Sequence, residues 1–330
     1  MKNTPTISEI NSLFTNSDPD EVWLKASEII MRINPAYDFS IALTSFDDIV
    51  RLFLGKYPGY GSIKTLYHDL RHMLDVFLCA ARLMHGMHLS GTRLTDNEIT
   101  MIMIAAMMHD VGYAQLLGEE TGTGAQYTRS HVSRGIKFMQ DYFAGKGYPS
   151  ELASPMEFIL RCTDPAVDIS EINFPNERTK LLGQIVGSAD LTGQMADRTY
   201  LEKLLFLYLE FKEAHFGDYQ SIHDLLNKTR EFYKTTRAKL DVNFGGAYNK
   251  LTFHFQDWYG VENNYYLESI EKNMAYLTSI TSLDKAEHIS MLKRGGIVKK
   301  SEALITQVDL AFARNPTFPH QDDVITRREK

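Results

Sequence analysis

The sequence predicts an all-α protein. Apolar residues recur at helical spacing along most of the chain, alternating apolar/polar runs are short, and turn clusters do not fall at hairpin spacing. The 330 residues are 44% hydrophobic and 23% charged, ordinary values for one large or two modest globular domains. A formal charge of −7 argues against a nucleic-acid-binding surface. No apolar run approaches the roughly 20 residues of a membrane span, and Met1-Lys2-Asn3-Thr4-Pro5 lacks the apolar core of a signal peptide. The two cysteines, Cys79 and Cys162, sit in apolar helical contexts and read as buried free thiols in a reducing cytoplasm. Met101, Met103, Met107 and Met108 read as adaptable core filling.

Taken in order, residues 20–33 and 45–54 read as helices of an N-terminal layer. Residues 64–86 follow as a long helix with Leu66, Leu70, Leu74, Phe77, Leu78 and Ala81 on one face. Thr95-Asp96-Asn97-Glu98 is a capping box, in which the Thr95 hydroxyl accepts from the amide three residues on while Glu98 reaches back. It opens an apolar helix ending at Met108-His109-Asp110, and Gly112 breaks the pattern. Residues 114–129 read as a loop and 131–143 as a helix. Ser154-Pro155-Met156-Glu157 reads as a helix start, with proline at the first helical position. That helix ends at Asp164-Pro165, because the residue before proline disfavours the helical region. Residues 166–178 read as an irregular loop. Helices are expected at 179–194, 197–215, 220–240 and 262–294, the last closed by Gly295-Gly296. The tail after Pro316 reads as polar and mobile. The domain expectation is an N-terminal layer over 1–61, a core over 62–215 and a C-terminal extension over 216–330.

The chemistry concentrates in the core. On a helix, positions four apart share a face, so His68 and His72 are expected to point the same way. His109 and Asp110 end a later apolar helix, and Asp190 lies inside the apolar stretch Ile185–Leu191. Histidine and carboxylate on apolar helices are costly to bury without partners, and a divalent ion satisfies them together. Two imidazoles and two carboxylates leave open positions for water, which suits hydrolysis. The absence of nearby thiolates argues against a structural zinc site. Asp75, three residues after His72, is a candidate to orient it, and Asp164 either caps a helix end or lines the pocket. His85 and His88 are expected to meet the C-terminal dipole of the first long helix. His215, His223, His254, His288 and His320 are read as structural or solvated, and Arg178 and Lys180 as a solvated charged face.

The order of these residues resembles the HD superfamily of metal-dependent phosphohydrolases, and more narrowly the core of class I cyclic-nucleotide phosphodiesterases. Tyr67-His68-Asp69-Leu70-Arg71-His72 stands where that family has Tyr-His-Asn-x-x-His, and Met107-Met108-His109-Asp110-Val111-Gly112-Tyr113 where it has a helix ending His-Asp-Val-Asp-His. Ser130-His131-Val132 is similar to its next, histidine-led helix. Leu160-Arg161-Cys162-Thr163-Asp164 matches a segment ending Ala-Thr-Asp, and Ser188-Ala189-Asp190-Leu191-Thr192 matches Cys-Ala-Asp-Leu-Ser. These five blocks span residues 62–212.

The resemblance implies an HD-domain helical bundle with helical extensions at both ends. It implies that His72, His109, Asp110 and Asp190 ligate one transition ion such as zinc, manganese or iron. Asp110 would bridge to a second ion, magnesium or manganese, held largely by water. His68 would donate a proton to the leaving alkoxide as a metal-activated water attacks phosphorus. His131, Asp69 and Asp164 are candidates for the second ion or the pocket wall. The substrate implied is a small, nucleotide-like phosphoester. The partner expectations include no nucleic acid and no membrane, and at most a second copy of the chain in a homodimer. The expected location is the cytoplasm.

The sequence departs from the family pattern in three places. Asp69 replaces asparagine, Tyr113 replaces the second histidine of the His-Asp block, and the purine-clamping glutamine has only Gln256, in Phe253–Trp258, as a candidate. Two alternatives are a di-iron oxygenase using His131, which would want a further histidine near Cys162–Asp164, and a metal-stabilised interaction module without turnover.

Overall fold

The computed structural model describes residues 17–301 together with residues 10, 13, 14 and 304. Among these the fold is all-α, with one isolated bridge between Tyr60 and Leu116 and no strand. The expected tail after Pro316, and His320 within it, lie outside the described residues.

The chain opens with α1 (Pro19–Ile33) and α2 (Ser40–Phe53). Asp18 caps α1 by accepting from the amides of Asp20 and Glu21. The centre of the molecule is α3 (Leu70–Leu89), buried on all sides from His72 to Met87, with Asp75, Arg82 and His85 buried among its apolar residues. It packs against α1, against α4 (Asp96–Met108), against α7 (Glu177–Ala196) and against α10 (Leu251–Tyr259). Between these lie α5 (His131–Lys146), α6 (Ser150–Arg161), α8 (Tyr200–Glu213) and α9 (Ile222–Ala238). The described chain closes with α11 (Tyr265–Thr281) and α12 (Lys285–Met291). The Thr95 capping box forms as read. One continuous core runs from Leu13 to Leu292 through all three expected segments.

Three sequence expectations need correction. The long helix begins at Leu70 and not at residue 64, because the Asp69 carboxylate takes the His72 amide at 2.9 Å and caps the helix there. The preceding turn is closed by Thr65 Oγ1 donating to the His68 carbonyl at 2.6 Å. The Ser154-Pro155 signal does not start a helix: α6 begins at Ser150, since Pro149 bends the chain out of α5 and its carbonyl accepts from Leu152 and Ala153. Pro155 then sits inside the helix, where it forfeits one main-chain hydrogen bond. Finally, residues 247–259, unassigned from the sequence, fold as a 3₁₀ turn leading into α10, which covers the far side of α3.

Two close approaches bring the helices into register. Gly187 on α7 lies against Phe244 and the Cys162 carbonyl, and a β-carbon there would overlap the Phe244 ring. A β-carbon on Gly112, in the 3₁₀ turn Val111–Tyr113, would overlap the His131 carbonyl. The start of α5 is thereby pressed onto the end of α4. Cys79 and Cys162 are both buried free thiols, and burial pushes each up to about 12.

The most heavily bonded buried charge is Asp197, between α7 and α8. It meets Lys203 Nζ at 2.7 Å and Arg71 Nη2 at 3.0 Å, and accepts from the Thr199 amide and hydroxyl at 2.8 and 3.0 Å. Burial opposes its ionisation, but Lys203 first and Arg71 second outweigh that and hold it below the usual carboxylate range. Asp197→Ala takes the carboxylate from the buried Lys203 and leaves Arg71 with Asp75 at 3.8 Å, so it should cost about 3–5 kcal/mol at neutral pH. A depressed carboxylate stabilises the fold above the unfolded value and loses that contribution as pH falls through the folded one. The deficit of the variant, read by urea unfolding, should therefore narrow below about pH 4. A deficit constant from pH 7 to pH 3 would contradict it.

Candidate metal centre and its cavity

Four side chains from α3, the end of α4 and α7 converge. His72 Nε2 lies 3.1 Å from His109 Nε2, 3.4 Å from Asp110 Oδ2 and 3.4 Å from Asp190 Oδ1. His109 Nε2 lies 3.1 Å from Asp110 Oδ2 and 3.8 Å from Asp190 Oδ1. Asp69 presents His72 by capping α3, and α4 delivers His109 and Asp110 at its C-terminus. His72, His109 and Asp110 offer donor atoms within 4.8 Å of one another, all buried.

The imidazoles are oriented for ligation. His109 Nδ1–H donates to the Ala106 carbonyl at 2.9 Å, which leaves Nε2 facing the carboxylates. Burial alone would lower His109, but Asp110 and then Asp190 raise it to about 9. The carboxylates therefore hold positive charge among these side chains, which a proton or a metal ion can supply. Asp110 is itself held well below the carboxylate range, its burial outweighed chiefly by His109 and His68. Asp110 Oδ2 is buried without a well-formed hydrogen bond, and its nearest polar neighbours are His109 Nε2 at 3.1 Å and His72 Nε2 at 3.4 Å. A buried carboxylate oxygen between two imidazole nitrogens, with a second carboxylate beside them, is a donor set that fits a divalent transition ion.

His131 begins α5, and its Nδ1–H donates to the Thr128 carbonyl at 2.7 Å. Its Nε2 faces Asp110 Oδ1 at 3.7 Å, on the side of that carboxylate away from His72. Burial lowers its basicity, leaving a neutral ring with a lone pair available. Tyr113 fills the space between His131 and His68, its ring stacked on both at 4.8 and 4.9 Å between centroids.

His68 lies in the turn before α3 and not on its face. Its position comes from a residue that sequence reasoning missed, Glu210 on α8. Glu210 Oε2 is 2.6 Å from His68 Nδ1, while Oε1 accepts from the Tyr67 amide at 2.6 Å and the His68 amide at 3.4 Å. Burial alone would lower His68, but the Glu210 carboxylate, with Asp110 behind it, raises it to about 9. Glu210 is 2% exposed within Tyr208-Leu209-Glu210, and an acid in an apolar helical run was its only sequence signal.

The other candidates separate from the centre. Asp69 caps α3 through Oδ1 and does not line the cavity. Asp164 accepts from the Ala166 amide at 2.8 Å in a turn beside the cavity. The Asp75 carboxylate lies 3.8 Å from Arg71 Nε. Gln256 is exposed and donates to Glu262 at 3.0 Å, so it clamps nothing. His85 does not serve the helix dipole: it is buried against His254, Nδ1 to Nδ1 at 3.0 Å. His254 therefore has a partner too, 169 residues away. His88 is lowered by burial and by Arg93, against a dipole role. Arg178 is committed to Glu98 at 2.6 and 2.7 Å.

The centre opens into a cavity of about 440 Å³. His68, His72, Asp110, Tyr113, His131 and Asp190 form its polar end, and α8 and α9 form its far walls. The loop 114–129 contributes Thr128 and the segment 166–178 contributes nothing to the lining. Gln194 does line it, but its amide is occupied: Oε1 accepts from Tyr67 Oη at 2.8 Å, and Nε2 donates to Asp190 at 3.4 Å.

The Npun_R2479-like family model matches residues 115–252. That stretch is similar to this family from before His131 through Asp190, Glu210 and α9, and stops short of His72, His109 and Asp110. No curated protein matches the chain. No helix among the described residues is long and apolar enough to cross a membrane.

Proposed function

We propose that this chain is a metal-dependent phosphohydrolase of the HD type, hydrolysing a small phosphoester. The carrying observation is the convergence of His72, His109, Asp110 and Asp190 beside a His68–Glu210 pair, with His68, His72, Asp110 and Asp190 lining one cavity. A divalent ion held by those four residues would polarise the phosphoryl group and acidify water. Asp110 and Asp190 supply its counter-charge, and the Ala106 carbonyl fixes the His109 ring. His131 is placed to hold a second ion through Asp110. His68, protonated at neutral pH with Nδ1 on Glu210, has its other nitrogen to donate to the leaving alkoxide. Glu210 holds the ring in place and favours its reprotonation after each turnover.

A nucleotide-like substrate remains the expectation from the resemblance, but the cavity lacks a purine clamp, since Gln194 is occupied and Gln256 lies elsewhere. Leaving a buried polar group unpaired costs about 1–3 kcal/mol, so a clamp would separate two purines about fivefold or more. Assayed with Mn²⁺ or Mg²⁺, cyclic AMP and cyclic GMP should be hydrolysed with kcat/KM values within about threefold of each other, or neither hydrolysed while other phosphoesters are. Strong selectivity for one would contradict this. A di-iron oxygenase is the second reading, favoured by the His131 geometry. Iron bound at two per chain with substrate-dependent oxygen uptake, and no phosphoesterase activity on a broad panel, would decide for it.

A further inference from the structure

The cavity beyond the metal centre is built for an apolar group. Leu204, Leu207 and Phe211 on α8 face it, and Leu225 and Phe232 on α9 do so from the other side. Two of the three α9 threonines that line it, Thr229 and Thr235, offer little polarity. Thr229 Oγ1 donates to its own helix at the Leu225 carbonyl at 2.8 Å, and Thr235 Oγ1 donates to the Phe232 carbonyl at 2.9 Å. Lys228 is paired with Asp224 at 2.9 Å. Lys239 differs. It lines the same cavity and is mostly buried; among the described residues no carboxylate lies within ion-pair distance of it, and its Nζ meets the Asp164 carbonyl at 3.4 Å and the face of the Phe244 ring at 5.7 Å. It is also the first residue of a π-helical turn, Lys239–Asn243, that interrupts the end of α9, and such interruptions recur at functional sites. Burial makes its ammonium costly, and the charge of Asp190 partly offsets that cost. An incoming anion would complete the pairing.

We propose, resting on the phosphohydrolase reading, that the substrate is a phosphoester of an apolar alkyl or aryl group, which sits between α8 and α9 while the Lys239 ammonium binds its phosphate. A sugar or polyol ester would bury hydroxyls against walls with few donors and acceptors left to meet them.

The test is calorimetric titration of the Mn²⁺-loaded full-length protein with phosphonates, whose C–P bond survives. The probes are methylphosphonate, hexylphosphonate, phenylphosphonate and 2,3-dihydroxypropylphosphonate. Full burial of a methylene is worth up to about fourfold in affinity, and the walls are partly open. Hexylphosphonate or phenylphosphonate should therefore bind at least about 30-fold tighter than methylphosphonate, the tighter of the two naming the chain or the ring. The dihydroxypropyl probe should gain nothing. Lys239→Met should weaken all four about tenfold or more, and Lys239→Arg should restore most of that. Phe232→Ser, at a half-exposed position that the fold tolerates, should shrink the apolar gain alone. Four affinities within threefold, a preference for the dihydroxypropyl probe, or undiminished binding in Lys239→Met would overturn the proposal. Apolar preference without turnover of hexyl phosphate or phenyl phosphate would sustain the apolar seat and sink the phosphohydrolase reading instead.

Discussion

Replacing His68 by alanine should leave metal content and fold intact while turnover falls by about 10²–10⁴-fold, the range for losing a positioned general acid. The expectation rests on where His68 is held. It precedes α3, separated from the ligand His72 by the Asp69 cap, and its Nδ1 is engaged by Glu210 and not by the metal cluster. The contacts among His72, His109, Asp110 and Asp190 do not run through His68, which meets His72 only ring edge to ring at 5.8 Å between centroids. Glu210→Gln should follow it in part: an amide still accepts a hydrogen bond but no longer raises His68. The alkaline limb of the pH–rate profile should then move to lower pH, because the protonated donor is lost earlier as pH rises. Loss of the metal in His68→Ala, measured by elemental analysis, would make His68 a ligand and overturn the division of roles.

Ligand removal should behave differently. His72→Ala and Asp190→Ala should each lose metal and activity together, since each deletes one of the clustered donor atoms, which lie 3.4 Å from each other. Asp190→Ala also removes one of two negative charges that offset the ion, so its occupancy should fall markedly at any metal concentration that saturates the native protein. Turnover should drop to background in both. Because α3 and α7 are packed by many apolar contacts besides these side chains, cooperative unfolding should persist. Full metal occupancy in Asp190→Ala would remove Asp190 from the ligand set.

The residues of the centre were legible in the sequence because they break a rule. His72, His109, Asp110 and Asp190 are buried polar groups within or at the ends of largely apolar stretches, and such groups need a shared partner. The capping box at Thr95 was legible for a local reason, two side chains three residues apart. Contacts between distant segments were not. Glu210 holds His68 across 142 residues, and nothing near either residue announces the other. The capping role of Asp69 competed with helical periodicity and won, moving the start of α3 by about six residues and His68 off the helix. The cavity walls were missed because Leu204, Phe211 and Leu225 have the pattern of ordinary core residues. Only the packing of α8 against α9 shows that they border open space.

The central claim is that these four side chains bind a metal ion that is required for phosphoester hydrolysis. The direct measurement is elemental analysis of the purified full-length protein together with its phosphoesterase activity, before chelation, after chelation and after return of Mn²⁺ or Zn²⁺. At least one equivalent of transition metal is predicted, with activity lost on chelation and restored on reloading. Protein that binds no metal, or hydrolysis that is indifferent to its removal, would contradict the account.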